Sequence, residues 1–128
     1  MPLTEHSINL RVRYTEVDPM GYVHHSRYFQ YFELARVELL RATGFSYANL
    51  ESQGVFFVVV KAACQFKSPA RYDEELTIKT RIVRQTHVRI DHEYEVKRGD
   101  ALLATAATTI ACVGRDGKLR EIPPELAQ

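Results

Sequence analysis

The run Ser26-Arg27-Tyr28-Phe29-Gln30-Tyr31-Phe32-Glu33-Leu34-Ala35-Arg36-Val37-Glu38-Leu39-Leu40-Arg41-Ala42 decides the fold. Its composition is that of a helix, and Thr43-Gly44 supplies the stop. Ser26 or His25 starts it, Ser26 being the better chemical cap. Tyr28, Phe32, Ala35 and Leu39 fall on one stripe. Phe29, Tyr31, Leu34, Val37 and Leu40 widen the apolar surface well beyond one face, so the helix is expected to be covered on most sides. Glu33/Arg36 and Glu38/Arg41 stand three apart and read as ion pairs along it.

Most of the chain around this helix reads as strand. On its N-terminal side, Ile8, Leu10, Val12 and Tyr14 alternate with Asn9, Arg11, Arg13 and Thr15, the period of a half-buried strand, until Pro19 and Gly21 break the ladder. On its C-terminal side, Phe45 to Gly54 is a loop or short helix. Val55 to Phe66 begins as an unbroken apolar run that suits a central strand, and Pro69 stops it. Leu76, Ile78, Thr80 and Ile82 alternate again. Val88, Ile90, His92, Tyr94 and Val96 form the apolar phase of the next strand opposite His87, Arg89, Asp91, Glu93 and Glu95, a division that an antiparallel sheet permits. Gly99-Asp100 turns the chain into Ala101 to Val113, whose alanines and threonines leave room for a bulky neighbour, the aromatic helix being the candidate. Asp116-Gly117 turns again, and Pro123-Pro124 is expected to end the ordered part. A single helix this apolar needs a sheet curled around it. The fold class expected is therefore α+β: a curved antiparallel sheet of about five strands wrapped around one long helix, as a single domain over residues 1–128. The apolar surplus of Val55 to Val60 calls for a second copy, with a dimer as the minimum and a tetramer, as a dimer of dimers, the larger assembly expected.

The chain has 128 residues and a net charge of +1, so no basic footprint for nucleic acid or a membrane surface is present. No segment is long and apolar enough to span a bilayer, and the first residues, which include Glu5 and His6, lack the apolar core of a signal peptide. Cys64 and Cys112 lack metal-ligand spacing and sit in strand-like runs, so they read as buried free thiols, and a reducing, cytoplasmic setting is expected. His24-His25 are adjacent, with no H-x-x-x-H or Cys/His cluster beside them, and no metal is expected. Ser26 lacks the G-x-S-x-G elbow of a serine hydrolase.

The chemistry-bearing segment is Asp18-Pro19-Met20-Gly21-Tyr22-Val23-His24-His25-Ser26. A lone acid ends a strand-like run and leads through a glycine turn into the start of the helix. That places a carboxylate beside free backbone N–H groups, expected at His24, His25 and Ser26, where an oxygen developing negative charge can be stabilised. An aspartate before Pro-x-Gly is equally a residue that caps its own turn, and the local pattern leaves both roles open. Among the other histidines, His92 falls in the apolar phase of its strand and reads as core or interface, while His6 and His87 read as surface. His24 is read as structural or surface.

Asp18, Gly21, Val23, His25, Tyr28 and Glu33-x-x-Arg36, together with the strand ending Phe66-Lys67-Ser68-Pro69-Ala70 before the acidic turn at Asp73-Glu74, resemble the hotdog-fold acyl-CoA thioesterases. The similar branch is that of the 4-hydroxybenzoyl-CoA thioesterases and the small enzymes associated with the Tol–Pal envelope proteins, and the likeness spans about residues 8 to 123. It implies a hotdog fold, no cofactor and a small-molecule acyl-CoA substrate. It also implies the His25 amide as the group polarising the thioester carbonyl. Asp18 would attack the carbonyl or activate a water, with His25 bonding the thioester or positioning that water. The aryl-specific enzymes carry a tyrosine where this chain has His25, and the Tol–Pal branch a histidine, which tilts the expected substrate toward a short or medium acyl chain.

The acyl slot implied lies at a dimer interface. It is expected to draw on Gly21, Val23, Tyr28 and Phe32, with Tyr14 lining the pocket or filling the core, and on Val58, Val59 and Val60 as the partner's wall. Lys61, Lys67, Arg71, Arg84 and Arg89 are candidates for the phosphates of CoA. A hydratase or dehydratase on the same scaffold, using Asp18 and His25, and a non-catalytic acyl-thioester-binding protein are the alternatives.

Overall fold

The computed structural model describes residues 3–126. Five antiparallel strands, β1 (Glu5–Arg11), β2 (Phe56–Phe66), β3 (Glu75–Gln85), β4 (Arg89–Arg98) and β5 (Ala101–Val113), form one sheet in the order β1-β3-β4-β5-β2. The long helix α1 (His25–Ala42) and the short α2 (Tyr47–Ser52) fill the connection between the two edge strands. This is the hotdog architecture, one long helix against a curved sheet.

The helix buries Tyr28, Tyr31, Phe32, Ala35, Arg36 and Leu39. Their apolar partners include Leu76, Ile78, Tyr94, Val96, Leu103 and Ala104. Phe32 is fully buried and stacks on Tyr94 with ring centroids 4.7 Å apart. Ala104 on β5 carries too little side chain to fend the aromatic helix off, which is the use of the small-residue strand. A second apolar cluster, with Leu50, Val55, Ile110, Cys112 and Ile122, closes the far end. His92 is buried and His87 exposed; Cys64 is only half-buried and Cys112 is buried, both as free thiols.

Several expectations change. β1 stops at Arg11, and Tyr14 opens a 3-10 turn (Tyr14–Glu16) that rotates its side chain out to 76% exposure, edge-on to Tyr72. β2 is an edge strand, not a central one, with residues 58–63 exposed in succession. Val55 and Phe57 of its apolar run pack into the second cluster, while Val58, Val59 and Val60 have no cover among the described residues. α1 is not sheathed on most sides, since Phe29 and Leu34 face outward. Its cap is His24, whose Nδ1 accepts the Ser26 N–H at 3.2 Å, so neither His25 nor Ser26 plays that part. Glu38 and Arg41 pair at 3.3 Å. Arg36 does not pair with Glu33; it turns inward and donates to the Tyr94 hydroxyl at 3.0 Å. His6, expected at the surface, is half-buried because it shares the inward phase of Ile8 and Leu10. The chain does not lose order at Pro123-Pro124: a 3-10 turn (Pro124–Leu126) carries Leu126 into the second cluster.

Candidate active site

Asp18 sits on a tight loop whose two limbs are bridged at Val17 and Val23. The Asp18 N–H donates to the Tyr22 carbonyl at 2.7 Å, and the Gly21 N–H donates to the Asp18 carbonyl at 2.9 Å. Gly21 holds φ +79°, a left-handed conformation that favours glycine. Oδ1 of Asp18 accepts the N–H groups of Met20 and Tyr22 at 2.9 and 3.1 Å. Asp18 therefore does what a turn aspartate does, but with one oxygen. No donor among the described residues is recorded for Oδ2. The turn fixes the carboxylate and leaves half of it available.

The helix start is narrower than the sequence suggested. The His24 N–H donates to the Glu16 carbonyl at 2.9 Å, and the Ser26 N–H is taken by the cap. Two of the three amides proposed as polarising donors are thus engaged. The His25 N–H is the one for which no acceptor is recorded among the described residues, and it stands in the first turn, where the helix dipole adds its positive end. The two histidine rings lie together, centroids 4.2 Å apart, with both residues exposed.

Asp18 and His25 line one groove of about 350 Å³, with Tyr22, Val23 and Tyr28 on one side and the segment Phe66 to Pro69 on the other. That segment is held close because the Val23 N–H donates to the Ala70 carbonyl at 2.8 Å and Tyr28 packs edge-on against Phe66 at 5.0 Å. Burial, opposed by a hydrogen bond with the Ala70 backbone, raises the Tyr28 hydroxyl pKa, so it stays protonated. The groove thus brings a carboxylate-bearing residue and the first residue of the helix together over an apolar floor.

Of the expected slot residues, Val23 and Tyr28 line the groove. Gly21 shapes the turn beside it. Tyr14 does not line it, and Phe32 is sealed in the core behind it. Val58, Val59 and Val60 lie on the β2 edge and do not reach the groove of their own chain. Among the basic residues, Lys67 lines the groove and Arg71 stacks over Tyr22 at 5.2 Å, at its rim. Lys61, Arg84 and Arg89 do not line it: Lys61 and Arg84 fall in one cross-strand row with Thr109 and Asp91, and Arg89 opens β4. All three are exposed on the sheet.

A larger hollow of about 550 Å³ is lined by Lys79, Arg81, Glu93 and Glu95. Glu93 and Glu95 alternate with the inward Tyr94 and Val96, so it lies on the sheet face away from α1. Arg81 and Glu93 already pair at 2.6 Å, and no free helix-start amide meets a carboxylate there. The smaller groove has the chemistry. Among the described residues no three of His, Cys, Asp or Glu cluster closely enough to hold a metal ion.

Glu16, two residues before Asp18, is the site-supporting residue that the sequence did not mark. It is 4% exposed. Its Oε1 accepts the Arg13 N–H at 2.8 Å and the Tyr31 hydroxyl at 3.0 Å, and Oε2 accepts Arg13 Nη2 at 3.1 Å. Burial raises its pKa, but the bonds from Arg13 and Tyr31 outweigh that and leave it lowered, so it is ionised. Through its carboxylate and its carbonyl, Glu16 ties the Asp18 loop to α1 at Tyr31 and at His24. The weak signal was a carboxylate in place of an apolar residue where the strand period breaks.

Residues 12–128 match the family model described as the thioesterase-like superfamily. A putative esterase of Aquifex aeolicus is 36% identical over 118 residues, covering 92% of this chain and 91% of its own length. The acyl-CoA thioesterase YbgC of Haemophilus influenzae is 33% identical over 117 residues, covering 91% and 85%. Among solved structures, a probable thioesterase from Bartonella henselae superimposes with a TM-score of 0.89 at 40% identity, over 93% of this chain and 99% of that one.

Proposed function

The chain belongs to the thioesterase-like superfamily, and on that footing we propose that it hydrolyses an acyl-CoA thioester to the free acid and CoA. The observation that carries this reading is that Asp18 and His25, the first residue of the helix, line one groove. Thioester cleavage asks for an oxygen nucleophile and help for the carbonyl oxygen. It asks little for the leaving group, because a thiol of pKa about 8.5 departs readily as thiolate. In the proposed reaction the acyl carbonyl oxygen accepts from the His25 N–H, and the carbonyl carbon is attacked in one of two ways. Either Asp18 attacks, the C–S bond breaks to release CoA thiolate, and water then hydrolyses the mixed anhydride. Or Asp18 takes a proton from a water that attacks directly, and the tetrahedral intermediate collapses with loss of the thiolate. The two amides on Oδ1 orient the carboxylate in both versions. The His25 imidazole bonds the thioester or holds the water.

In this reading Lys67, which lines the groove, and Arg71, over Tyr22, meet the phosphates of CoA. Val58, Val59 and Val60 are 43, 52 and 50% exposed on an edge strand, and apolar edges of this kind are covered in working proteins. We take a second copy to pair there and to present these valines as the far wall of its neighbour's groove, so the homodimer is the proposed working unit. Comparison of the histidine at position 25 with the tyrosine of the aryl-specific branch favours a short or medium acyl chain.

The test is release of free thiol from short, long and aromatic acyl-CoA substrates. Asp18→Asn should lose more than about a hundredfold in turnover with near-normal melting, as expected for an essential group at the reacting centre. Equal rates in the two proteins would sink the assignment. A change in enoyl absorbance without thiol release would mark hydration instead.

A further inference from the structure

Arg36 is the part of the helix motif that hydrolysis does not use. It is 9% exposed and donates from Nη1 to the Tyr94 hydroxyl at 3.0 Å, which in turn shares a 2.7 Å hydrogen bond with Thr108 Oγ1. Tyr47 stands beside it, close enough for the Arg36 charge to act on its hydroxyl. These are neutral groups. The ion pairs among the described residues leave Arg36 out, although Glu33 lies one turn away. A guanidinium keeps its charge at any physiological pH, and a buried charge with only neutral partners is a heavy load on a fold.

The same side chain lines a cavity of about 40 Å³ between the second half of α1, α2 and the far end of the sheet. Tyr47, Gln85 and His92 share the wall with apolar residues such as Leu39 and Ile110. Among the described residues no carboxylate lines it. His92 is 4% exposed, and its Nδ1 has no hydrogen-bond partner among the described residues. Gln85 Oε1 has none either. Burial first, and the Arg36 charge second, push the His92 pKa down to about 3, so the ring is neutral and offers one N–H. One water-sized occupant needs roughly 10–15 Å³, so the cavity takes about three.

We propose that this cavity binds a small monovalent anion of halide size, seated on the guanidinium of Arg36 with the Nδ1–H of His92 and the hydroxyl of Tyr47 as further donors. Water alone would satisfy His92 and Gln85 but would bring no ion pair to Arg36, since Glu33 and Asp91 act on these walls without pairing with it. An anion meets all three donors at once, and a water beside it can donate to Gln85 Oε1. The apolar walls and the small volume favour a halide over sulfate, phosphate and larger carboxylates. The site is separate from the Asp18 groove, with which it shares no lining residue.

The probe is bromide. Crystals of the full chain equilibrated with sodium bromide should show an anomalous peak inside this cavity, within hydrogen-bonding distance of Arg36. Melting at fixed ionic strength should be higher in bromide than in gluconate, by about 5 °C when bromide is tenfold above its Kd. The difference should disappear in Arg36→Leu. Should that variant fail to fold, His92→Phe, which keeps the ring shape and removes the N–H, should shrink it by at least half. Absence of a bromide peak in the cavity would overturn the proposal and leave a water pocket. A bromide effect on melting that survives undiminished in the variants would also overturn it, since surface sites would then be responsible.

Discussion

Replacing Glu16 by alanine should loosen the Asp18 loop, and the structure sets the size of the effect. The side chain is 5% exposed, and its Oε1 serves two buried or half-buried donors, the Tyr31 hydroxyl and the Arg13 N–H. Alanine strands both. A stranded buried donor costs about 1–3 kcal/mol. Tyr31 is 2% exposed and takes the upper part of that range; the Arg13 N–H lies nearer solvent and takes the lower. The Arg13 guanidinium has a side chain 75% exposed and simply returns to water. The sum is about 3 kcal/mol, or a fall of roughly 10–15 °C in Tm for a domain of this size. Glutamine is the control. Its amide oxygen can occupy the Oε1 position and keep both bonds, so Glu16→Gln should cost no more than about 1 kcal/mol. Tyr31→Phe in the alanine background removes one stranded donor and should recover part of the loss. Because the Glu16 carbonyl also holds the His24 N–H, turnover should fall in the alanine variant and stay close to wild type in the glutamine variant. Melting followed by circular dichroism, with thiol release in parallel, reads both. If the alanine and glutamine variants melt within about 2 °C of each other, the Oε1 hydrogen bonds are not what hold this loop.

His25→Ala keeps the backbone amide and removes the ring, so thiol release should drop by about ten- to a hundredfold while substrate binding stays measurable. If it abolished the reaction while Asp18→Asn were mild, the roles would be exchanged. Val59→Lys puts a charge on the β2 edge and should yield monomers in sedimentation equilibrium with loss of turnover. A fully active monomer would remove the partner's wall from the mechanism. His92 sets an acid limit on stability. Its folded pKa, about 3, lies below its ordinary value of 6.5, so the unfolded chain takes up the proton first. The stabilisation is complete above about pH 6.5 and is lost as pH falls toward 3, at up to about 1.4 kcal/mol per pH unit. Melting between pH 7 and 4 should flatten in His92→Phe, and an unchanged slope would point to other groups.

How far the residues themselves could be read follows from the range of the forces involved. Period and punctuation are local, so β3, β4, β5 and α1 stand where the alternation, the turns and Thr43-Gly44 put them. That Asp18 and His25 come together on one groove was legible because the turn that brings the acid to the helix start is itself short. Where a segment's role depends on a distant neighbour, the reading failed. Tyr14 continued the apolar phase of β1, but a 3-10 turn, anchored by Glu16 on Tyr31, intervenes and turns it outward. Glu33 and Arg36 had the spacing of a pair, but the Tyr94 hydroxyl, 58 positions away, draws Arg36 inward.

Local pattern alone therefore specified one long helix, the alternating strands and an acid at the helix entrance, because backbone sterics and side-chain periodicity act over a few residues. Only the folded chain decided that β2 lies at an edge, that His24 and Ser26 have their amides occupied, and that Lys61, Arg84 and Arg89 stand away from the groove. Strand order and hydrogen-bond partnership are set by contacts between segments far apart in sequence, and nothing within a single segment encodes which distant partner it will meet.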